Sequence, residues 1–288
     1  MSQRLLNKLS VYARLMRLER PVGTLLLAWS SLWGLWLAGA GEPPARIVLI
    51  ILLGTWTMRS AGCVFNDLAD RNFDGKVQRT THRPLATGEA TVNEALALGV
   101  GLLAVSFMLV LLLNWQSVVL SVFCAAVAII YPFCKRFLPT PQAMLGVAFA
   151  SAILIAHTAI LGKITWAGLF LFLASVFWAL VYDTYYGLVD RDDDIPLGLK
   201  SAAIFASGRE HLFIGSMAAL MVLCLLISGA LAGLNGWYYF GVLAAALLMV
   251  YQLHHTRSLE RERCFQAFSH NNWVGAAVLL GLVLAYLP

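Results

Sequence analysis

The sequence predicts an all-α membrane protein with nine transmembrane helices around a central cavity. Two observations lead to this class. Of the 288 residues, 60% are hydrophobic and only 12% are charged, whereas soluble proteins carry about 25% charged residues. Apolar runs recur along the whole chain, each close to the ~20 residues that a helix needs to cross a bilayer. We therefore expect one integral membrane domain over residues 1–288 rather than two soluble domains.

The elements follow in order from the N-terminus. Residues 1–20 combine Leu, Val and Met with five basic residues, which predicts an amphipathic arm that lies on the membrane or leads into the first span. Pro21 follows, at a position where a new helix can begin. Two long connections, about 66–92 and 186–209, follow the second and the sixth span. The predicted spans lie near residues 22–40, 46–65, 93–113, 116–133, 141–161, 164–185, 210–232, 236–253 and 271–287.

The basic residues predict the orientation of these spans. All but three of the 20 Lys and Arg residues lie in the arm or in loops that nine spans place on one side of the membrane. The exceptions are Arg46 and Lys163 on the other side, and Arg59 within a span. Since positive charge stays in the cytoplasm, we expect a cytoplasmic N-terminus and a periplasmic C-terminus. The net charge of +5 thus reflects membrane orientation and indicates no nucleic-acid partner.

Two acidic stretches, residues 66–74 and 183–194, directly follow the second and the sixth span, and each leads into a long basic loop. This repetition favours two similar four-helix halves plus a ninth helix. On a helix, each stretch presents a stripe of polar residues along one face. Crowded carboxylates repel one another unless a cation lies among them, and hard oxygen ligands suit Mg²⁺, which completes its shell with substrate phosphates. We predict that the stripes face each other across one cavity and hold a Mg²⁺–diphosphate; their members are Asn66, Asp70 and Asp74, and Asp183, Gly187, Asp190 and Asp194.

Basic residues accompany both stretches. A charge inside a span costs at least ~2.5 kcal/mol, so Arg59 should face either an Asp in a salt bridge or an anionic ligand. Arg79 and Arg83, four residues apart beside the acidic stretch, suit either phosphate binding or plain orientation of the membrane spans. Further cations follow at the end of the fourth span and after the second acidic stretch, namely Lys135, Arg136 and Lys200, beside Tyr131 and Ser201. Tyr186 and its neighbouring tyrosines offer aromatic faces that could stabilise a cationic intermediate.

Four ordered motifs resemble the UbiA family of intramembrane prenyltransferases. They are NDxxDxxxD from Asn66, RTxxRPLxxG from Arg79, YPxxKR from Tyr131 and DxxYxxxDxxxD from Asp183. The resemblance spans essentially the whole chain. GxKS and the late NNWVG, which begins at Asn271, further resemble the members that act on 4-hydroxybenzoate in ubiquinone synthesis.

The resemblance implies that Mg²⁺ bridges the diphosphate of a polyprenyl donor to both acidic motifs, in the inner membrane of a bacterium. It also implies that Asp190 serves the phenol of the acceptor, and that Arg136 binds the acceptor's carboxylate or the diphosphate. The implied metal ligands are Asn66, Asp67, Asp70, Asp74, Asp183, Asp190 and Asp194. The expected diphosphate-binding residues are Arg59, Arg79, Arg83, Lys135 and Lys200, and Tyr131, Tyr186 and Ser201 complete the pocket.

Two alternatives remain at this point. Another acceptor, such as haem, homogentisate or a naphthoate, would keep the chemistry, and residues 149–153 depart from the Gly-Trp-containing stretch that the family often has there. A cation or phosphate transporter would be a different class, since Asp clusters and a buried Arg also suit ion pathways. The clustering of the acids at one membrane face argues against transport. No Walker-type loop, GxSxG elbow or HExxH motif supports ATP hydrolysis, serine hydrolysis or zinc proteolysis.

Overall fold

The computed structural model describes residues 3–72 and 74–288, and within these ranges it contains helices and no strand. A short 3₁₀ helix spans Asp74–Lys76. The α-helices are α1 (Gln3–Leu15), α2 (Val22–Ala38), α3 (Ala45–Asp70), α4 (Val92–Val110), α5 (Trp115–Cys134), α6 (Gln142–Leu161), α7 (Trp166–Asp194), α8 (Ala202–Phe205), α9 (Glu210–Leu231), α10 (Gly236–His255) and α11 (Arg261–Ala285).

Within the described ranges, eight helices are long and apolar enough to cross a membrane, and α2 adds a shorter apolar helix. Together they match the nine predicted spans, so the predicted fold class is confirmed. The helix α1 is the amphipathic arm, and α8 is a four-residue helix within the connection between α7 and α9. The protein is therefore a multi-pass membrane protein.

Three helices extend well beyond the predicted spans, because a helix can continue where the apolar sequence stops. The helix α3 runs on to Asp70, α7 runs on to Asp194, and α11 already begins at Arg261. Hydropathy marks the part of a helix that meets lipid, whereas backbone hydrogen bonds can carry the helix further into water. The second acidic stripe thus lies entirely on α7, as its spacing assumed. The first does not, because α3 ends at Asp70 and Asp74 is reached through the 3₁₀ helix.

The helix packing repeats in two halves. The two long helices with acidic ends occupy corresponding places, since α3 packs mainly against α4 and α7 packs mainly against α9 and α6. The helix α2 contacts α3, α6 and α11, and α5 contacts α6, so the halves join side by side. The carboxyl ends of α3, α5 and α7 meet on one side of the bundle, where they form a polar cavity. That this side is cytoplasmic stays a prediction.

The NNWVG motif links α11 to α2 and to α7 through hydrogen bonds from three tryptophans. The indole N–H of Trp178 donates to the Oδ1 of Asn271 at 2.9 Å, and that of Trp33 donates to the carbonyl oxygen of Gly275 at 2.9 Å. Trp29 donates in the same way to the next asparagine at 3.2 Å. A Cβ on Gly275 would approach Trp29 to 2.5 Å and Trp178 to 2.7 Å. In this fold the motif therefore packs α11 against α2 and α7.

Replacing Asn271 by Ala is expected to lower the free energy of unfolding by about 1–3 kcal/mol, because it leaves buried polar partners unpaired. Asn271 is fully buried and also donates to the Oε1 of Gln252 at 3.1 Å. Unfolding of the purified protein in detergent would measure the loss. Ser269→Ala is the matched control, since that hydroxyl bonds only the carbonyl of Phe265 in its own helix. Equal stability of the two variants would contradict the assignment.

Candidate active site

Two adjoining cavities lie inside the bundle. The larger, about 1210 Å³, is lined mainly by apolar side chains of α2 to α7 and α11. The smaller, about 150 Å³, is polar and lies at the carboxyl ends of α3, α5 and α7. We call them the apolar cavity and the polar cavity. Six residues line both of them, so the two spaces are continuous; they are Asn66, Arg79, Arg83, Tyr131, Asp183 and Tyr186.

The polar cavity brings together most of the residues that the sequence singled out. Both acidic stripes contribute to its wall, which confirms that they face one space. The predicted residues that line it are Asn66, Asp70, Asp74, Arg79, Arg83, Tyr131, Lys135, Asp183, Tyr186, Asp190, Asp194, Lys200 and Ser201. Three others lie elsewhere: Asp67 and Arg59 line only the apolar cavity, and Arg136 lines neither. The individual roles of these residues stay predictions.

Arg79 links the loop after α3 to the second acidic stripe. Its Nε lies 2.8 Å from the Oδ1 of Asp190, and its Nη2 bonds the other carboxylate oxygen. The guanidinium group also lies over the ring of Tyr186, with 4.5 Å between the guanidinium carbon and the ring centroid. This fork-to-carboxylate geometry is the strongest kind of side-chain ion pair. It holds the loop across the carboxyl end of α7.

The first acidic stretch is paired in the same way. The Nη1 of Arg83 lies 2.9 Å from the carboxylate of Asp74 and 3.0 Å from that of Asp67, and the ammonium group of Lys135 pairs with Asp70. Burial lowers the pKa of Arg83, but the two carboxylates outweigh it and raise that pKa overall. Burial also raises the pKa of the Asp74 carboxyl, which Arg83 only partly opposes. The carboxylates and the cations expected to bind diphosphate thus neutralise one another.

The donor set of the polar cavity fits Mg²⁺. The Oδ1 of Asp70 is buried and accepts no hydrogen bond from the described residues, while its Oδ2 accepts the side-chain amide of Asn66 at 3.3 Å. Carboxylate oxygens are the ligands that Mg²⁺ prefers. Among the described residues, no three acidic, His or Cys groups lie close enough together to hold a metal ion by themselves. The arrangement suits an ion that takes a few carboxylates and completes its shell with other oxygens.

Arg59 lies in α3 at the wall of the apolar cavity, away from the ion pairs. It forms no ion pair with the described residues, so the structural salt bridge considered above is absent there. Its Nε is buried without a hydrogen-bond partner, and its guanidinium carbon lies 5.6 Å from the ring centroid of Phe149. Gly23 makes room for it, since a Cβ there would lie 2.5 Å from its Nη2. A cation inside a span that has no ion pair is costly without an anionic partner.

Arg136 and Lys200 each donate to a backbone carbonyl oxygen. The Nη2 of Arg136 donates to the carbonyl of Ala69 at 2.9 Å, near the carboxyl end of α3, and the side chain is exposed. The ammonium group of Lys200 donates to the carbonyl of Phe137 at 3.0 Å. Arg136 is therefore placed to cap a helix end, which favours cations.

Arg17 contacts the site although its position in the sequence did not indicate this. It counted only as one of the basic residues of the arm, yet its Nη2 lies 2.7 Å from the Oδ1 of Asp67, a fully buried carboxylate. No local pattern announces this contact, because the two residues are 50 positions apart. Gln142, at the start of α6, was also missed; it lines the polar cavity and accepts the N–H of Ala202 at 2.8 Å.

The UbiA prenyltransferase family profile matches residues 27–281. A 4-hydroxybenzoate octaprenyltransferase of Aeromonas salmonicida is 48% identical over 276 residues, which cover 96% of each chain. A 4-hydroxybenzoate octaprenyltransferase of Alkalilimnicola ehrlichii is 46% identical over 273 residues, covering 95% of this chain and 93% of the relative.

Solved structures share the fold at lower identity. A UbiA homologue of Aeropyrum pernix superposes with a TM-score of 0.81 at 24% identity, covering 93% of this chain and 99% of that chain. A UbiA homologue of Archaeoglobus fulgidus, bound to GPP and Mg²⁺, has a TM-score of 0.67 at 18% identity, with coverage of 93% and 99%. Because the family profile matches most of its length and a relative is 48% identical to it, this chain belongs to the UbiA prenyltransferase family.

Proposed function

We propose that this protein transfers a polyprenyl group from a polyprenyl diphosphate to the ring carbon ortho to the hydroxyl of 4-hydroxybenzoate, in the inner membrane of a bacterium. The observation that carries the proposal is the continuity of a charged polar cavity with an apolar cavity of about 1210 Å³. A lipid-like diphosphate has these same two parts. The choice of 4-hydroxybenzoate as the acceptor follows the names of the two relatives described above, which are nearly equal in length to this chain.

The donor fits with its diphosphate in the polar cavity and its hydrocarbon tail in the apolar cavity. The guanidinium groups of Arg79 and Arg83 and the ammonium group of Lys135 are there, each paired with a carboxylate. A diphosphate can replace those carboxylates as partner, since guanidinium groups bind phosphate oxygens in pairs. When bound, Mg²⁺ would supply positive charge to the carboxylates thus released and to the diphosphate oxygens. Its proposed ligands are Asn66, Asp70, Asp74, Asp183, Asp190 and Asp194, which line the polar cavity.

The acceptor fits beside Arg59. The carboxylate of 4-hydroxybenzoate is an anionic group that needs a positive partner in the apolar cavity, and Arg59 lines that wall with its Nε buried and without a hydrogen-bond partner among the described residues. Binding there would turn the hydroxyl end of the ring towards the polar cavity. The family resemblance instead implied that Arg136 binds the carboxylate of the acceptor or the diphosphate. Arg136, however, lies outside both cavities.

In the reaction, the bond between the allylic carbon and the diphosphate oxygen breaks, and a carbon–carbon bond forms ortho to the hydroxyl. We assign to the carboxylate of Asp190 the acceptance of the hydroxyl proton as the ring attacks, after Arg79 has turned to the diphosphate. The ring carbon then gives its proton to the released diphosphate, and Asp190 returns the hydroxyl proton to the ring oxygen. The rings of Tyr131 and Tyr186 line both cavities, where they can face the positive charge of the allylic group. The surrounding apolar side chains exclude water.

Purified protein with Mg²⁺, a polyprenyl diphosphate and 4-hydroxybenzoate is expected to release diphosphate and to form the prenylated acid. Because the polar cavity fits a divalent ion, EDTA should stop turnover and added Mg²⁺ should restore it. Chromatography of the product and a diphosphate assay measure both outcomes. EDTA already saturated with Mg²⁺ is the control for effects of the chelator itself.

Competing acceptors separate the alternatives. Preference for homogentisate, a naphthoate or haem over 4-hydroxybenzoate would keep the prenyltransferase and overturn the acceptor. Turnover unchanged by EDTA would remove the metal assignment. Liposomes that accumulate ions without forming product would favour a transporter.

A further inference from the structure

Arg17 occupies an unusual backbone position at the end of the amphipathic arm. The N–H of Leu18 bonds the carbonyl of Ala13 at 3.0 Å, and the N–H of Arg17 bonds that of Arg14 at 3.1 Å. These two bonds form the motif that ends many helices with a left-handed residue. Arg17 has a φ of 59° there, a conformation that glycine adopts freely and that strains a residue with a Cβ. A glycine would be the better residue for the turn itself.

The side chain explains why an arginine stands at this turn. Its Nη2 lies 2.7 Å from the Oδ1 of Asp67 and its Nη1 lies 3.0 Å from the carbonyl oxygen of Arg14. Asp67 is fully buried, and the same Oδ1 lies 3.0 Å from Arg83. Asp67 thus shares one oxygen between an arginine of the arm and an arginine in the wall of the polar cavity.

The arm is fixed against α3 and α4, so that Arg17 has a defined place. Val11 and Leu15 are buried in one apolar cluster with Val64 and Leu68 of α3. The ammonium group of Lys8 lies 2.5 Å from a carboxylate oxygen of Glu94, at the start of α4. Arg17 itself lines the apolar cavity.

We propose that Arg17 is a positioning residue for the donor diphosphate, acting through Asp67 and Arg83. This rests on the proposed function. A buried carboxylate demands a full positive partner; with Arg17 present, Asp67 is neutralised from the arm, and Arg83 keeps charge for the diphosphate. Without Arg17, Asp67 takes Arg83 entirely and adds negative charge beside the diphosphate. The acceptor is unaffected, because Arg59 belongs to neither ion pair.

The variant Arg17→Gly tests this, since it removes the guanidinium group and suits the turn. We expect the KM for the polyprenyl diphosphate, and the Kd of the donor measured without acceptor, to rise about tenfold. The KM for 4-hydroxybenzoate should stay within about twofold. Arg17→Lys keeps the positive charge but lacks the forked guanidinium group, so it should lose less donor affinity than Arg17→Gly. In Arg17→Gly/Asp67→Asn, the carboxylate no longer needs a partner, so the penalty should be smaller than in Arg17→Gly alone.

Arg14→Gln is the matched control, because it removes an equal charge from the same arm, where Arg14 pairs with Glu89 at the surface. An equal rise in donor KM and Kd for Arg14→Gln and Arg17→Gly would overturn the proposal. So would an Arg17→Gly protein that unfolds more readily than wild type but binds the donor with an unchanged Kd, since Arg17 would then hold the arm and not position the diphosphate. Wild-type protein that binds the donor but transfers nothing would overturn the proposed function, while the Kd values still decide the role of Arg17.

Discussion

Replacing Asp70 by Asn is expected to abolish detectable turnover, a loss on the order of 10³-fold in kcat. The side chains have the same shape, but the amide cannot bring negative charge to a cation in the polar cavity. Asp70 is almost fully buried, and its Oδ1 has no partner among the described residues. Lys135, which pairs with Asp70, remains partly exposed, so losing its partner should not unfold the protein. Initial rates over a range of Mg²⁺ concentrations would measure the effect.

Asp192→Asn is the matched control for this variant. Asp192 belongs to the second acidic stretch, yet it lines neither cavity and its side chain is 66% exposed beside Arg261. Its replacement should leave kcat within about twofold, because exposed ion pairs contribute little. Retained turnover in Asp70→Asn, or an equal loss in both variants, would show that the polar cavity is not the metal site.

The sequence predicted the fold class and the location of the polar cavity because both depend on local patterns. Apolar runs mark the spans, and the spacing from Asp183 to Asp194 places a stripe on one face of α7 before any contact is known. The prediction was less accurate at the ends of helices. Nothing local says that α3 stops at Asp70 and that Asp74 follows in a 3₁₀ helix, since helix ends depend on the partners that satisfy their polar groups.

Contacts between residues that are far apart in the chain could not be predicted from the sequence. The pairing of Arg79 with Asp190 joins residues 111 positions apart, and that of Arg17 with Asp67 depends on how the arm folds back. A basic residue near an acidic motif has the same local signature whether it binds substrate or caps a helix. Arg136 illustrates this, because its sequence position suggested a ligand and its side chain donates to the carbonyl of Ala69.

Arg59→Gln is expected to raise the KM for 4-hydroxybenzoate about 100-fold and to leave the KM for the polyprenyl diphosphate nearly unchanged. Removing a charge-assisted, desolvated contact costs about 1.5–3 kcal/mol, and Arg59 is placed away from the cations of the polar cavity. The preference for 4-hydroxybenzoate over a phenol without a carboxylate should fall by the same factor. Steady-state kinetics with both acceptors would measure these ratios. Arg136→Gln is the comparison, and a rise in acceptor KM for that variant alone would restore the role implied by the family resemblance.

The thermal stability of the protein gives an independent test of the role of Arg59. A cation inside a span costs at least ~2.5 kcal/mol on insertion scales. Arg59 has no ion pair within 4 Å among the described residues, and the carboxylate of Asp183 acts on it from a greater distance. Without acceptor, Arg59→Gln should therefore unfold at a higher temperature than wild type, and 4-hydroxybenzoate should stabilise wild type more than the variant. A residue kept for packing would show the opposite, with lower stability and an unchanged acceptor KM. Higher stability together with weaker acceptor binding is the combination expected of a side chain retained for its ligand.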